Sequence, residues 1–222
     1  LKQYQCVIFD WDGTLMNSEA RIVHAIQVAA ERAGFPVLPA EESKQIIGLS
    51  LDNAVQTLYP QADQAGIEAI SHGYTECFLN ESDVPMRPFD GLESLLAGIR
   101  QQGAKTVIAT GKSRRGLDQV LAETGLGVHF DWTRTPVESA SKPDPLMLEQ
   151  ILEKYGLSPE AAVMVGDTEF DMEMAHALGM DRIAMSHGVH ELERLLAYEP
   201  VAHHDDLPSL QAWFKDRLRA HV

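Results

Sequence analysis

Asp10 and Asp12 stand one residue apart at the end of an apolar run, in the stretch Cys6-Val7-Ile8-Phe9-Asp10-Trp11-Asp12-Gly13-Thr14. Val7-Ile8-Phe9 is short, β-branched and aromatic, which reads as a buried strand. Gly13 then breaks the chain. Two carboxylates at the end of a buried strand are costly to desolvate unless a cation sits with them. Strand carboxyl ends are also where open α/β sheets hold ligands. The pair therefore points to a metal-assisted site, with one carboxylate free to attack and the other to move protons. An Asp-Gly turn capping an edge strand explains the same residues, so the rest of the chain has to decide.

Three further segments carry polar groups at a predicted strand end or helix start. Thr110-Gly111-Lys112-Ser113 follows an apolar strand and precedes a helix. A hydroxyl and backbone amides there make a phosphate seat, or an ordinary helix cap. The segment is not a P-loop, because the first glycine of that motif is absent: Thr106 stands five residues before Gly111. In Ser141-Lys142-Pro143-Asp144-Pro145, Pro143 holds Lys142 extended. Its amine is either aimed from the loop or simply solvated. Gly166-Asp167-Thr168-Glu169-Phe170-Asp171 puts Asp167 at a strand end and Asp171 on the first helical turn, where helix capping and dipole compensation explain the segment equally well. Coincidence at all four places is hard to sustain.

The elements that must position these groups alternate. Strand-like runs recur at 105–110, 130–135, 162–167, 181–185 and near 201–202, with helical patterns over 92–102, 115–124, 146–155 and 172–178. Such alternation implies an α/β fold, a Rossmann-like doubly wound parallel sheet. Residues 17–87 break the rhythm with helical patterns at 22–33 and 54–58, no clear strand, and five prolines between Pro36 and Pro88, the last at the point of return. They read as a helical insertion after the first strand, leaving 1–16 and 88–222 as the core, whose first helix after the insertion Asp90 could cap.

With 222 residues the chain can bury a sizeable core, and 45% apolar with 23% charged residues is ordinary for a globular protein. A net charge of −15 argues against nucleic acid or an anionic membrane as partner. Cys6 and Cys77 lack metal-ligand spacing and fit a reducing compartment. No run approaches spanning length and no signal peptide is recognisable. The expected location is cytoplasmic.

DWDGT, the Thr110 strand end, Lys142-Pro143 and GDTEFD occur in the order and spacing of the haloacid dehalogenase-like hydrolases. The insertion resembles the helical cap of their phosphoglycolate phosphatase-like branch. The resemblance makes Asp10 the nucleophile that forms an aspartyl-phosphate, and Asp12 the acid for the leaving oxygen and then the base for water. It assigns Mg²⁺ to Asp10, the Asp12 backbone carbonyl and Asp167, with Asp171 as ligand or support; oxygen-only ligands suit that ion. Thr110, Gly111 and Lys142, with the backbone amides of Trp11 and Gly13, would hold the phosphoryl group. A carboxylate and a phosphate about 4 Å apart repel by about 4 kcal/mol per unit charge pair at an effective dielectric of about 20, which the cation and Lys142 would offset.

The implied activity is a Mg²⁺-dependent phosphatase acting on a small phosphorylated metabolite, as a monomer or weak homodimer. Dehalogenases of this fold lack the second aspartate. P-type ATPases need a nucleotide domain that 222 residues cannot hold. Phosphonatases use a cap lysine, and Lys44 reads better as a solvent-exposed helical residue. A sugar phosphomutase, similar to β-phosphoglucomutase, would carry a basic residue after a Gly-x-Ser cap turn. Here Gly48-Leu49-Ser50 is followed by Leu51. The cap turn is a candidate for substrate contact or a simple helix end. A non-catalytic phosphate- or partner-binding module is the alternative of another class. Lys112, Arg114 and Arg115 form a basic patch that either holds a second anionic group or is a solvated helix start. His187 and His190 could rim the pocket, while the stretch from His203 to Asp206 reads as a strand end and turn.

Overall fold

The computed structural model describes residues 1–221, so the last residue of the expected core stretch 88–222 lies outside the described residues. The strands are β1 (Cys6–Phe9), β2 (Met16–Asn17), β3 (Arg87–Pro88), β4 (Lys105–Ala109), β5 (Trp132–Arg134), β6 (Ala162–Gly166), β7 (Asp181–Met185) and β8 (Ala202–His204). Six form one sheet in the order β5-β4-β1-β6-β7-β8, every pair parallel. Helices α5 (Leu92–Gln101), α6 (Arg114–Thr124), α7 (Leu146–Tyr155), α8 (Glu169–Ala177), α9 (Leu192–Leu196) and α10 (Leu207–Phe214) accompany it. This is the Rossmann-like α/β fold expected from the alternating pattern.

Alternation along β1 explains why both faces must be covered. Val7 and Phe9 point into one layer with Leu95, Leu96 and Ile99 of α5, Leu117 of α6 and Leu210 of α10. Cys6 and Ile8 point into the other, with Met147, Leu148 and Ile151 of α7 and Met174 of α8. β1 lies between β4 and β6, and the chain builds outward from it in both directions. The crevice outside the carboxyl end of β1 is therefore the place where this topology leaves room for a ligand.

Between β2 and β3 the chain leaves the sheet. It forms α1 (Glu19–Arg32), α2 (Ala40–Ser43), α3 (Leu51–Leu58) and α4 (Gln64–Glu76), the last continuing as a π-helical turn over Cys77–Glu81. Ile26, Ala29, Val55, Ile67 and Ile70 give this layer its own apolar core. The outgoing and returning segments pair antiparallel, Met16 opposite Pro88 and Asn17 opposite Arg87. That short ladder was invisible in the sequence, because two-residue strands have no periodicity to read.

Some local expectations change. Asp90 does not cap α5: Gly91 occupies the N-cap with φ 87°, and no side chain bonds there. The helix expected over 172–178 starts earlier, at Glu169, because Thr168 and Asp171 form a reciprocal capping box. Asp206 caps α10 through the Ser209 amide at 2.7 Å, in keeping with a strand end and turn at 203–206. Both cysteines are buried and free. Among the described residues no helix is long and apolar enough to cross a membrane.

Leu95 is wholly buried where α5 meets the sheet. Leu95→Ala should destabilise the protein by about 2–5 kcal/mol, read from the shift of its urea midpoint against wild type.

Candidate active site

Asp10 follows β1 directly, and burial there is nearly complete. Its Oδ1 accepts the Trp11 amide at 2.7 Å and lies 2.9 Å from Lys142 Nζ, whereas Oδ2 is buried with no partner. The Lys142 side chain is fully buried, so the solvated alternative is wrong: its amine also reaches Asp171 Oδ1 at 2.7 Å. Asp171 Oδ2 accepts the amides of Asp167 and Thr168 and the Thr168 hydroxyl. Asp171 thus anchors the lysine as well as capping α8.

Asp167, behind β6, accepts the Thr14 hydroxyl at 2.7 Å and the Val189 amide at 2.8 Å. Gly13 lies flush against it: with φ 81°, a Cβ at that position would stand 2.2 Å from Asp167 Oδ2. Only glycine fits this turn. Oxygens of Asp10, Asp167 and Asp171 lie within 4.8 Å of one another. Three carboxylates against one ammonium leave two uncompensated negative charges when all are ionised. Burial pushes the Asp10 carboxyl well above the usual carboxylate range, with Asp171 adding to this and Lys142 opposing it. Burial likewise pushes Asp167 up to about 7. Lys142 is pulled down by burial, but Asp10 and Asp171 more than offset this and hold it above the ordinary lysine value.

Asp12 sits across the turn. Its Oδ1 accepts the Ser18 hydroxyl at 2.7 Å, and its Oδ2 lies 3.1 Å from Lys112 Nζ. Thr110 is buried at the end of β4, where its hydroxyl accepts the Lys112 amide at 3.1 Å. Gly111 backs onto the helical layer, and a Cβ there would meet the Gly48 carbonyl oxygen at 2.2 Å. The Ser50 amide donates to Ser141 Oγ at 2.9 Å, tying the same turn to the lysine loop. Beneath it lies a cavity of about 70 Å³, lined by Asp10, Asp12, Thr110, Gly111 and Lys112 below and by Ile22, Leu49, Leu51, Tyr74 and Phe78 above.

The structure therefore gathers Asp10, Asp12, Thr110, Gly111, Lys142, Asp167 and Asp171 at one sheet edge. The Trp11 and Gly13 amides, expected to face a phosphoryl group, are engaged on Asp10 and on the Met16 carbonyl. The basic patch divides. The side chain of Lys112 enters the cavity and is almost fully buried, which overturns the solvated reading for it. Arg114 turns away to Glu138 and Asp118, and Arg115 is not among the cavity-lining residues. Lys44 is partly buried, pairs with the exposed Glu41 at 2.8 Å and does not line the cavity. His187 stacks on Phe89 and bonds the Thr14 carbonyl behind the turn. His190 accepts the Glu169 amide through Nδ1 and donates from Nε2 to the Gln45 carbonyl. Sequence reasoning missed Ser18, Tyr74 and Phe78; nothing in their local pattern marks them.

A buried carboxylate at a strand end, a buried lysine and an acidic cluster on a doubly wound sheet are the arrangement of a hydrolase of the haloacid dehalogenase type. The family model for haloacid dehalogenase-like hydrolases matches residues 7–185, and the chain belongs to that family. It is 31% identical over 199 residues to "Probable phosphatase IndB" of Dickeya dadantii, covering 87% of this chain and 86% of that one. It is 25% identical over 218 residues to a phosphoglycolate phosphatase of Vibrio cholerae, covering 95% and 96% of the two chains. A solved hydrolase from Pseudomonas syringae superposes with a TM-score of 0.86 at 21% identity, over 96% of this chain and 98% of that one.

The raised carboxyls of Asp10 and Asp167 stabilise the metal-free fold in mild acid, and that contribution is lost as pH rises towards and through about 7. In EDTA, Asp10→Asn should melt several degrees above wild type at about pH 8, with the gap closing towards about pH 5. A thermal melt series across that range checks it.

Proposed function

We propose that this chain is a Mg²⁺-dependent phosphatase that hydrolyses a small phosphorylated metabolite, of the phosphoglycolate kind, through a phosphoryl group carried on Asp10. The observation that carries the reading is Asp10 Oδ2. It is buried and unpartnered beside Lys142, while Oδ1 is held by two donors. A carboxylate so fixed has one oxygen left to attack phosphorus.

The donor set fits the cation that the family resemblance implies. Three buried carboxylates with a surplus of negative charge and an orphan oxygen are an all-oxygen site. Asp10, Asp167 and the Asp12 backbone carbonyl would hold Mg²⁺, whose charge would offset the repulsion between Asp10 and the phosphoryl group. Asp171 supports the set by holding Lys142. Lys142, the Thr110 hydroxyl and the Gly111 backbone bind and orient the phosphoryl oxygens. Asp12 gives a proton to the leaving oxygen and later takes one from the attacking water.

Residues 17–87 act as a cap over residues 1–16 and 88–222. Gly111, lying against the Gly48–Leu49 turn, and the Ser50–Ser141 bond support a closed state that excludes water from the first step. Leu51 lines the cavity, and among the described lining residues Lys112 is the single cation. This favours hydrolysis over mutase chemistry, which would need a cap cation on a sugar.

Phosphate release from a panel of phosphoglycolate, hexose phosphates, nucleotides and β-glucose 1-phosphate should require Mg²⁺ and stop reversibly with EDTA. Asp10→Asn should abolish it, and Asp12→Asn should slow alkyl phosphates by about 10²- to 10⁴-fold. Full activity in Asp10→Asn, or without metal, would defeat the assignment.

A further inference from the structure

The Lys112–Asp12 pair joins three parts of the molecule. Lys112 comes from the loop after β4 and Asp12 from the loop after β1. Their side chains are 6% and 10% exposed at a separation of 3.1 Å. The third part is the helical layer: Lys112 Nζ lies 4.3 Å from the centroid of the Phe78 ring, on the π-helical turn after α4. Phe78 is itself fastened to α1, since Arg21 donates to its carbonyl at 3.0 and 2.7 Å. The other oxygen of Asp12 is held by Ser18, the residue before α1. Both donors that fix Asp12 therefore depend on where the helical layer sits.

Resting on the phosphatase reading above, we infer that Lys112 is a positioning residue. It holds the Asp12 carboxylate in place for proton transfer, and Phe78 keeps Lys112 there only when the helical layer is closed. The acid is then assembled by closure and is not aimed while the site is open to water. A buried ammonium over an aromatic face, with one carboxylate as partner, has few alternative places to go. Removing it frees Asp12 to swing on its single remaining bond to Ser18. A displacement of that size costs a proton transfer far more than it costs a fold.

The test uses kcat/KM, which reads only steps up to phosphoryl transfer, on two esters. Ethyl phosphate needs a proton on its leaving oxygen; p-nitrophenyl phosphate expels a stable phenolate. Lys112→Met should lose about tenfold or more on ethyl phosphate relative to its loss on p-nitrophenyl phosphate. Lys112→Arg should restore most of that difference, and Lys112→Met should add nothing selective in an Asp12→Asn background. Hydrogen exchange of residues 77–81 should be faster in Lys112→Met than in wild type. Equal losses on both esters would reduce Lys112 to a structural role. A loss confined to substrates with a second anionic group would make it a substrate-binding residue instead. Either result overturns the inference, as does unchanged exchange at 77–81. If wild type hydrolyses neither these esters nor any member of the metabolite panel, the phosphatase reading fails by itself, and the exchange measurement still decides whether Lys112 clamps the helical layer.

Discussion

Three carboxylates buried around one buried ammonium are the constraint on which the rest of the site depends. Asp10, Asp167 and Asp171 cannot leave the protein interior, because β1 and β6 end there and α8 starts there. Lys142 can balance only one of them. The fold tolerates the surplus by two devices: backbone amides and hydroxyls satisfy Asp167 and Asp171, and the carboxyls of Asp10 and Asp167 shift towards their neutral forms. What is left over is one orphan oxygen on Asp10 and a negative cluster that a divalent cation would complete. Stability is given up where the proposed chemistry needs charge.

The helical layer turns this exposed edge into an enclosed site. It sits so close that Gly111 has no room for a side chain beneath the Gly48 carbonyl. It also brings Tyr74, Phe78 and Leu49 over a cavity whose floor is polar and whose roof is apolar. The antiparallel pairing of the two linkers at Met16–Pro88 gives this layer a narrow attachment to the sheet. A unit with its own apolar core on such a ladder is suited to move as one body.

Much of this was legible in the sequence. The strands β1 and β6 are continuous apolar runs, β4 and β7 end in apolar runs, as parallel strands buried on both faces do, and all four appear almost residue for residue where the pattern places them. Asp10, Asp167 and Lys142 were legible because each stands at the end of such a run or beside a proline, and Asp12 and Asp171 because they follow at short spacing. Lys112 was harder: a lysine at a helix start is usually solvated, and its burial comes from Phe78, far away in the chain. Ser18 and Phe78 belong to a helical stretch whose packing against the loops is set by tertiary contact rather than by local pattern. Asp90 misled because the glycine after it takes the capping position. The directions of the Trp11 and Gly13 amides depend on turn geometry that residue types alone do not specify.

The central claim is that Asp10 carries the phosphoryl group, and chemical trapping addresses it most directly. The protein is mixed with a phosphorus-labelled ester and Mg²⁺, quenched in acid within milliseconds, digested and mapped by mass spectrometry. The account predicts acid-stable, hydroxylamine-labile label on the peptide containing Asp10, absent from Asp10→Asn. Turnover with no protein-bound label at any quench time, or label on another residue, would contradict it.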